Sequence, residues 1–176
     1  MNLILIGYRG TGKSTLAEML HHQLDRPVYH MDAILEQRFG ESISAFVEKL
    51  GWDAFRQAET ALALELAQKD NVIIDCGGGV VTRAINMQHL KPTGYVVWLK
   101  TAPAIIAQRI GQDTNRPSLS GTASHTEEIL EILNQRMPLY EAAADLTVDT
   151  DTHSHDECVQ IILNAWKDYH ETLETS

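Results

Sequence analysis

Apolar residues along this chain fall in short continuous runs, and between the runs they recur at helical spacing. Residues 3–6, 27–30, 71–75, 95–99 and 145–149 read as five strands. Continuous apolar runs of that length suit strands covered on both faces, as in a parallel sheet. Residues 15–24, 33–39, a short piece at 42–49, 52–68, 82–90, 102–110 and 126–143 read as helices. Ser154-His155-Asp156-Glu157 matches a capping box and opens a last amphipathic helix through about residue 169. Gly40 ends one helix, Pro138 is expected to bend or shorten another, and the tail after His170 is expected to fray. Strands alternating with helices throughout predict an α/β fold, a five-stranded parallel sheet with helices on both faces.

Two stretches break the pattern. Residues 111–124 are polar, rich in Gly, Ser and Thr, and lack apolar periodicity. A loop of that length in a compact domain is either a mobile lid over a site or a plain surface loop, and Arg116-Pro117 lies in it. Gly7-Tyr8-Arg9-Gly10-Thr11-Gly12-Lys13-Ser14 sits between the first strand and the first helix and fits G-x-x-x-x-G-K-[ST], the phosphate-binding P-loop. Glycines there let backbone N–H groups turn inward onto phosphate oxygens, and the new helix adds its positive end. Lys13 is expected to reach the β- and γ-phosphates of ATP, and the Ser14 hydroxyl to ligate Mg²⁺.

Composition narrows the field. The chain has 176 residues, 44% of them hydrophobic, enough for one well-buried core and short for two, so residues 1–176 read as a single domain. A formal charge of −10 argues against a nucleic-acid surface, which needs clustered Lys and Arg. No apolar run approaches the ~20 residues of a membrane span. Met1 leads straight into a strand with no basic leader, which predicts a cytoplasmic protein. Cys76 and Cys158 are far apart without metal-ligand spacing and read as free thiols.

Single arginines at Arg9, Arg56, Arg109, Arg116 and Arg136 suit small phosphates or carboxylates, which a guanidinium grips in bidentate fashion. Asp32, after the second strand, is the candidate carboxylate at the crevice beyond the strand ends, or else the N-cap of the following helix. Arg56 and Glu59 share a helix face, either as an exposed ion pair of little energetic weight or as part of a site. Gly77-Gly78-Gly79 follows the third strand, either as a flexible turn or because something approaches the backbone closely. The group Asp149, Asp151, His153, His155 and Asp156 has the composition of a metal cluster, but a solvated loop with a helix cap explains it.

Taken together, the motifs resemble the shikimate kinase family over nearly the whole chain. The resemblance rests on the P-loop, Asp32-x-x-x-Glu36-x-Arg38, Gly51-x-x-x-Phe55-Arg56-x-x-Glu59, Gly77-Gly78-Gly79, Asn115-Arg116-Pro117-x-Leu119 and Arg136-x-Pro138-Leu139-Tyr140, in that order. It implies a three-layer P-loop kinase fold with a substrate-binding helical insertion at about 32–60 and a lid at about 111–124. It also implies transfer of the ATP γ-phosphoryl group to the 3-hydroxyl of shikimate with Mg²⁺. Nothing in the sequence suggests an interface, so a monomer is expected. On that resemblance Lys13, Asp32 and Arg116 are catalytic. Asp32, Arg56, Glu59, Gly77, Gly78, Gly79 and Arg136 bind shikimate. Gly7, Gly10, Thr11, Gly12, Lys13, Ser14, Thr15, Arg109 and Arg116 bind ATP.

The chain departs from the family pattern at three places. Asp-x-Asp is usual after the second strand, and here the first position is His30. Glu is usual after the glycine where this chain has Trp52. Asp75 stands where the family often has a neutral residue; it is either a helix or loop cap or, with Ser14, the metal-side pair, taking over an outer-shell Mg²⁺ role from the missing aspartate. The competing readings are a kinase on this scaffold with another small acceptor or a nucleotide, and a nucleotide-binding regulatory module with impaired turnover.

Overall fold

The computed structural model describes residues 1–110 and 125–174. Five strands, β1 (Asn2–Ile6), β2 (Val28–His30), β3 (Ile73–Asp75), β4 (Gly94–Lys100) and β5 (Leu146–Asp149), form one sheet in the order β2-β3-β1-β4-β5. Every neighbouring pair is parallel. Among the described residues seven α-helices accompany them: α1 (Lys13–Leu24), α2 (Met31–Phe39), α3 (Ile43–Leu66), α4 (Ala84–Leu90), α5 (Pro103–Ile110), α6 (His125–Ala143) and α7 (His155–Glu174).

Side chains alternate across the strands, which splits the core into two slabs. Ile4, Ile6, Ile74, Val96 and Trp98 face one way, onto Met31, Leu35, Phe55, Leu62 and Tyr140 of α2, α3 and α6. Leu3, Leu5, Ile73, Val97 and Leu99 face the other, onto Leu16 and Leu20 of α1 and Cys158, Val159, Ile162 and Trp166 of α7. These are the three layers expected. A smaller cluster of Tyr8, Ile106, Ile110, Ile129 and Leu133 ties α5 and α6 to the loop after β1. Buried Asn2 fastens the strand starts, donating through Nδ2 to Lys69 O at 2.8 Å and accepting at Oδ1 from Val72 N at 3.1 Å.

Register matters most for function. His30 is level with Asp75 and Asp75 is level with Leu5, so β2, β3 and β1 end at one height and release their loops into one crevice.

Several local expectations change. Asp32 is not an N-cap: α2 begins at Met31, its N-cap position is His30, and Asp32 sits in its first turn. Residues 82–90 do not make one helix; a 3₁₀ turn at Val80–Thr82 precedes α4. The break between the two helices expected around Gly51 is present: residues 43–66 run as two helical pieces that meet at a kink at Gly51 (φ 82°). Pro138 lies inside α6 without ending it. Ile129 and Leu133 before it, and Tyr140 and Ala143 after it, are all buried, and that packing outweighs the ~3 kcal/mol a proline costs a helix interior. The last helix continues to Glu174, beyond the expected frayed end. Tyr169 packs on Tyr95 at 4.7 Å between ring centroids, and Trp166 on His170 at 5.8 Å, so aromatic contacts hold its final turns.

The capping box forms as predicted: Ser154 N donates to Glu157 Oε2 at 2.7 Å and Glu157 N to Ser154 Oγ at 3.3 Å. In the neighbouring acidic and histidine cluster, Asp151 accepts from the Ala102 N–H and His153 Nδ1 bonds the Asp149 carbonyl at 2.9 Å. Those bonds make it a helix-entry loop. The segment 111–124 read as a lid, and Arg116 within it, lie outside the described residues.

Candidate active site

The loop leaving β1 is shaped by its glycines and by its own side chains. Gly10 and Gly12 take φ values of 79° and 89°, which side chains with a Cβ rarely adopt. Buried Thr11 donates to Tyr8 O at 2.8 Å, pinning the loop from within, and Lys13 Nζ donates to the same carbonyl at 3.0 Å. The α1 N-cap, Gly12, supplies no side-chain cap, and the first turn holds no acidic residue. The positive end of α1 thus lines the cavity at this loop, where it favours an anion. Arg109 on α5 reaches back to donate to Gly10 O at 3.0 Å, which places a guanidinium over the loop. A cavity of about 600 Å³ opens here, lined by Gly10, Gly12, Lys13, Ser14 and Thr15 together with His30, Asp32 and Asp75.

One wall of that cavity is a chain of hydrogen bonds. Ser14 Oγ donates to Asp75 Oδ2 at 2.6 Å, and His30 Nδ1 donates to the same oxygen at 2.8 Å. His30 Nε2 faces Glu18 Oε1 at 2.7 Å. Burial alone would lower the pKa of His30, but the bonds to Asp75 and Glu18 outweigh it and raise it above the ordinary histidine value. Glu18 is held below the usual carboxylate range by the same hydrogen bond. With its proton turned to Asp75, the Ser14 oxygen keeps lone pairs for a cation. An oxygen-only pair on an open, phosphate-sized cavity fits Mg²⁺, which takes few protein ligands and keeps several waters.

The glycine triplet forms the opposite wall, and each member is small because another group fills the space a Cβ would need. A Cβ on Gly77 would stand 2.7 Å from Asp32 Oδ1 and 3.0 Å from Glu59 Oε1. On Gly78 it would stand 3.1 Å from Arg9 N, and on Gly79 only 2.1 Å from Arg56 Nη2. Arg136 Nη1 and the Tyr140 hydroxyl both donate to Gly78 O, the first at 3.0 Å. Two guanidiniums thus meet at adjacent glycines, one residue from Asp32.

Glu59 holds Arg56 in place. Its Oε2 accepts from Arg56 Nη1 at 2.6 Å, with side-chain exposures of 1% and 14%, so the exposed, weightless ion pair is excluded. Glu59 Oε1 is buried and has no hydrogen-bond partner among the described residues. Burial pushes the Glu59 carboxyl above the usual carboxylate range, with Arg56 opposing. The Arg56 guanidinium also lies over the rings of Trp52 and Phe55, at 5.4 and 5.1 Å. Trp52, where the family pattern has Glu, therefore braces this arginine through its π face. Arg136 is braced likewise over the Tyr8 ring at 5.6 Å.

Thus the structure brings the P-loop, Asp75 and Arg109 to one side of the crevice and Arg56, Glu59, the triplet and Arg136 to the other, with Asp32 next to both. Three participants escaped the sequence reading as site residues. Glu18 lies one helical turn beyond Ser14, so the i, i+4 spacing carried its signal. Tyr8 and Tyr140 are core aromatics by pattern, and nothing local marks them as braces. Cys76 lines the cavity but is buried, which pushes its thiol pKa well up and leaves it inert.

A P-loop after the central strand of a parallel sheet, facing a carboxylate and two arginines across a cavity, defines a small-molecule phosphotransferase. The family model for shikimate kinase matches residues 9–167. A shikimate kinase of Dehalococcoides mccartyi is 40% identical over 161 residues, covering 91% of this chain and 90% of that one. Another, of Syntrophus aciditrophicus, is 40% identical over 177 residues, covering 94% and 91%. The solved structure of shikimate kinase from Acinetobacter baumannii in complex with shikimate superimposes with a TM-score of 0.87 at 33% identity, over 93% of this chain and 91% of that one. The chain belongs to the shikimate kinase family.

Proposed function

We propose that the protein transfers the γ-phosphoryl group of ATP to the 3-hydroxyl of shikimate, giving shikimate 3-phosphate and ADP for aromatic amino acid biosynthesis. The observation that carries this reading is the meeting of Asp32, Glu59, Arg56 and Arg136 around three consecutive glycines beside the P-loop cavity. An acceptor with one carboxylate and several hydroxyls matches that set. Arg56 and Arg136 moor the carboxylate, and the Gly77–Gly79 backbone and Asp32 hold the ring hydroxyls.

Asp32 orients the 3-hydroxyl and takes its proton as the oxygen bonds to the γ-phosphorus. The bond from that phosphorus to the β-phosphate oxygen breaks, and ADP leaves. Because the transition state is loose, alignment and charge neutralisation dominate over the base strength of Asp32. Lys13 supplies positive charge at the β- and γ-phosphates, and Arg109 contacts the nucleotide base. Ser14 and Asp75 would hold Mg²⁺, which when bound would neutralise phosphate charge.

The whole chain works as one domain, with a substrate-binding insertion at about 32–60 and a lid at about 111–124 that brings Arg116 over the transferring phosphoryl group. It acts as a monomer in the cytoplasm. Among the described residues no helix is long and apolar enough to cross a membrane.

A coupled assay of ADP release tests the acceptor, run with shikimate, with a panel of other hydroxy acids and nucleotides, and with no acceptor. Shikimate alone is expected to raise ADP release above the no-acceptor rate. Release that ignores the acceptor, or that answers only to a nucleotide, overturns the assignment.

A further inference from the structure

The cavity wall behind Ser14 contains two residues that the reaction scheme leaves without a task. His30 is the last residue of β2 and in register with Asp75, and Glu18 is on the α1 face that carries Ser14. Hydrogen bonds run from Ser14 Oγ to Asp75 Oδ2 (2.6 Å), from His30 Nδ1 to that same oxygen (2.8 Å), and between His30 Nε2 and Glu18 Oε1 (2.7 Å). The Asp75 side chain is 7% exposed, His30 30% and Glu18 54%, so the chain begins at the buried floor of the site and ends in solvent.

The consequence for Ser14 is directional. A serine hydroxyl rotates freely unless its proton has a fixed acceptor, and a rotor that points its proton at a cation repels it. Asp75 Oδ2 is that acceptor. A short aspartate keeps one oxygen aimed at a partner only when something else fixes its rotation, and the His30 ring does so by donating to the same oxygen. Glu18 in turn fixes the ring. Partners of this kind, one bond removed from a ligand, change metal affinity without touching the metal.

We propose that His30, clamped by Glu18, is a positioning residue for the metal side of phosphoryl transfer: it holds Asp75 Oδ2 on the Ser14 hydroxyl proton and so turns the serine lone pairs toward Mg²⁺. The inference rests on Ser14 and Asp75 being the metal-side pair and is independent of the acceptor.

The test is calorimetric ADP binding with no acceptor present, in EDTA and in saturating Mg²⁺, read as the ratio of the two Kd values. Asn is the informative replacement, because its amide nitrogen stands close to where His Nδ1 does and can still donate to Asp75. His30→Ala and His30→Asn are both uncharged, so comparing them isolates the donated bond from any effect of ring charge. His30→Ala is expected to shrink the Mg²⁺-dependent gain in ADP affinity about tenfold. His30→Asn is expected to stay within about twofold of the parent, and both are expected to leave the metal-free Kd unchanged.

Glu18→Ala, at a solvent-exposed position that leaves folding intact, is expected to shrink the gain about two- to fivefold, also only with Mg²⁺ present. Equal shifts for the Ala and Asn variants overturn the proposal. So does a Glu18→Ala protein with the parent's Mg²⁺ gain, or a His30→Ala effect of the same size in EDTA. Because shikimate is absent throughout, a wrong acceptor assignment leaves these outcomes untouched, and it would show separately as parent protein that couples Mg²⁺ to ADP but ignores shikimate.

Discussion

The nucleotide wall of the crevice is eight consecutive residues, 7–14, shaped by backbone and backed by a hydrogen-bonded chain that starts on strands. The acceptor wall is gathered from Asp32, Arg56 and Glu59, the glycine triplet and Arg136 with Tyr140, which sit on three different helices and one loop. The first wall offers main-chain N–H groups that any phosphate would satisfy. The second offers guanidiniums held at fixed points by their neighbours: Glu59, Trp52 and Phe55 for Arg56, Tyr8 and the Gly78 carbonyl for Arg136. General chemistry thus resides in contiguous sequence, and selectivity in contacts that only the folded chain assembles.

Asp32 belongs to both walls, since it lines the P-loop cavity and stands over Gly77. Its replacement should give the largest effect. Asp32→Asn keeps size and shape but cannot take a proton, and kcat is expected to fall about 10²- to 10⁴-fold. Both KM values should change by no more than a few-fold, read from initial rates with each substrate varied. A loss carried by the ATP KM alone would place Asp32 on the nucleotide wall only.

Arg136→Lys asks whether the walls are separable. A lysine cannot reproduce a planar fork, and the shikimate KM is expected to rise about 10- to 100-fold, the equivalent of the ~1.5–3 kcal/mol of a charge-assisted hydrogen bond. The ATP KM should hold within about twofold if the two walls bind independently. Equal rises in both would merge them.

One methyl group placed on each wall sharpens the contrast. At Gly79 it would enter the Arg56 guanidinium, 2.1 Å from Nη2. Gly79→Ala is expected to cost about 1–3 kcal/mol of stability through overpacking and to raise the shikimate KM about tenfold as Arg56 is pushed aside. At Gly12 the nearest atom outside the loop is His155 Nε2 at 3.6 Å, so the space is open and the obstacle is the positive φ of 89°. Gly12→Ala is therefore expected to cost about 1–2 kcal/mol of backbone strain and to raise the ATP KM, with the shikimate KM held. Urea unfolding and two-substrate kinetics on both variants decide it, and a Gly79→Ala protein with unchanged shikimate KM would show that Arg56 has room to move.

How much of this could be read beforehand follows the same division. The five strands, the P-loop and the placement of Ser14 and Asp75 were legible because each depends on local pattern or on strand ends meeting at one height. Asp32 was legible as a crevice residue but not as a first-turn helix residue, since a three-residue strand that hands over directly to a helix leaves no periodic signal at the junction. The Arg56–Glu59 pair was visible as spacing, while its burial was not, because α3 is covered by elements far along the chain. Pro138 was expected to bend or shorten its helix, and α6 nevertheless runs to Ala143 because residues on both sides of the proline are packed. Trp52 was noted only as a departure, and its stacking on Arg56 needed coordinates.

The smallest expected effect tests whether the acceptor wall is held in readiness at a cost. Burial raises the Glu59 pKa above its ordinary value of 4.5, with Arg56 opposing, so between those two values the folded chain binds more protons than the unfolded one. Unfolding stability then falls as pH rises through that window: the Glu59 contribution is fully present below the unfolded pKa and is lost as pH climbs through the folded one. Glu59→Gln removes this titration but retains an oxygen to accept from Arg56. Other carboxylates titrate alike in both proteins and cancel in the difference between their urea midpoints. That difference is expected to move in favour of the Gln variant as pH is raised from 4.5 toward 7.5, the ordinary carboxylate value being 4.5. A difference that stays flat across the range would mean that Arg56 fully offsets the burial of Glu59, and that the acceptor wall is assembled without electrostatic cost.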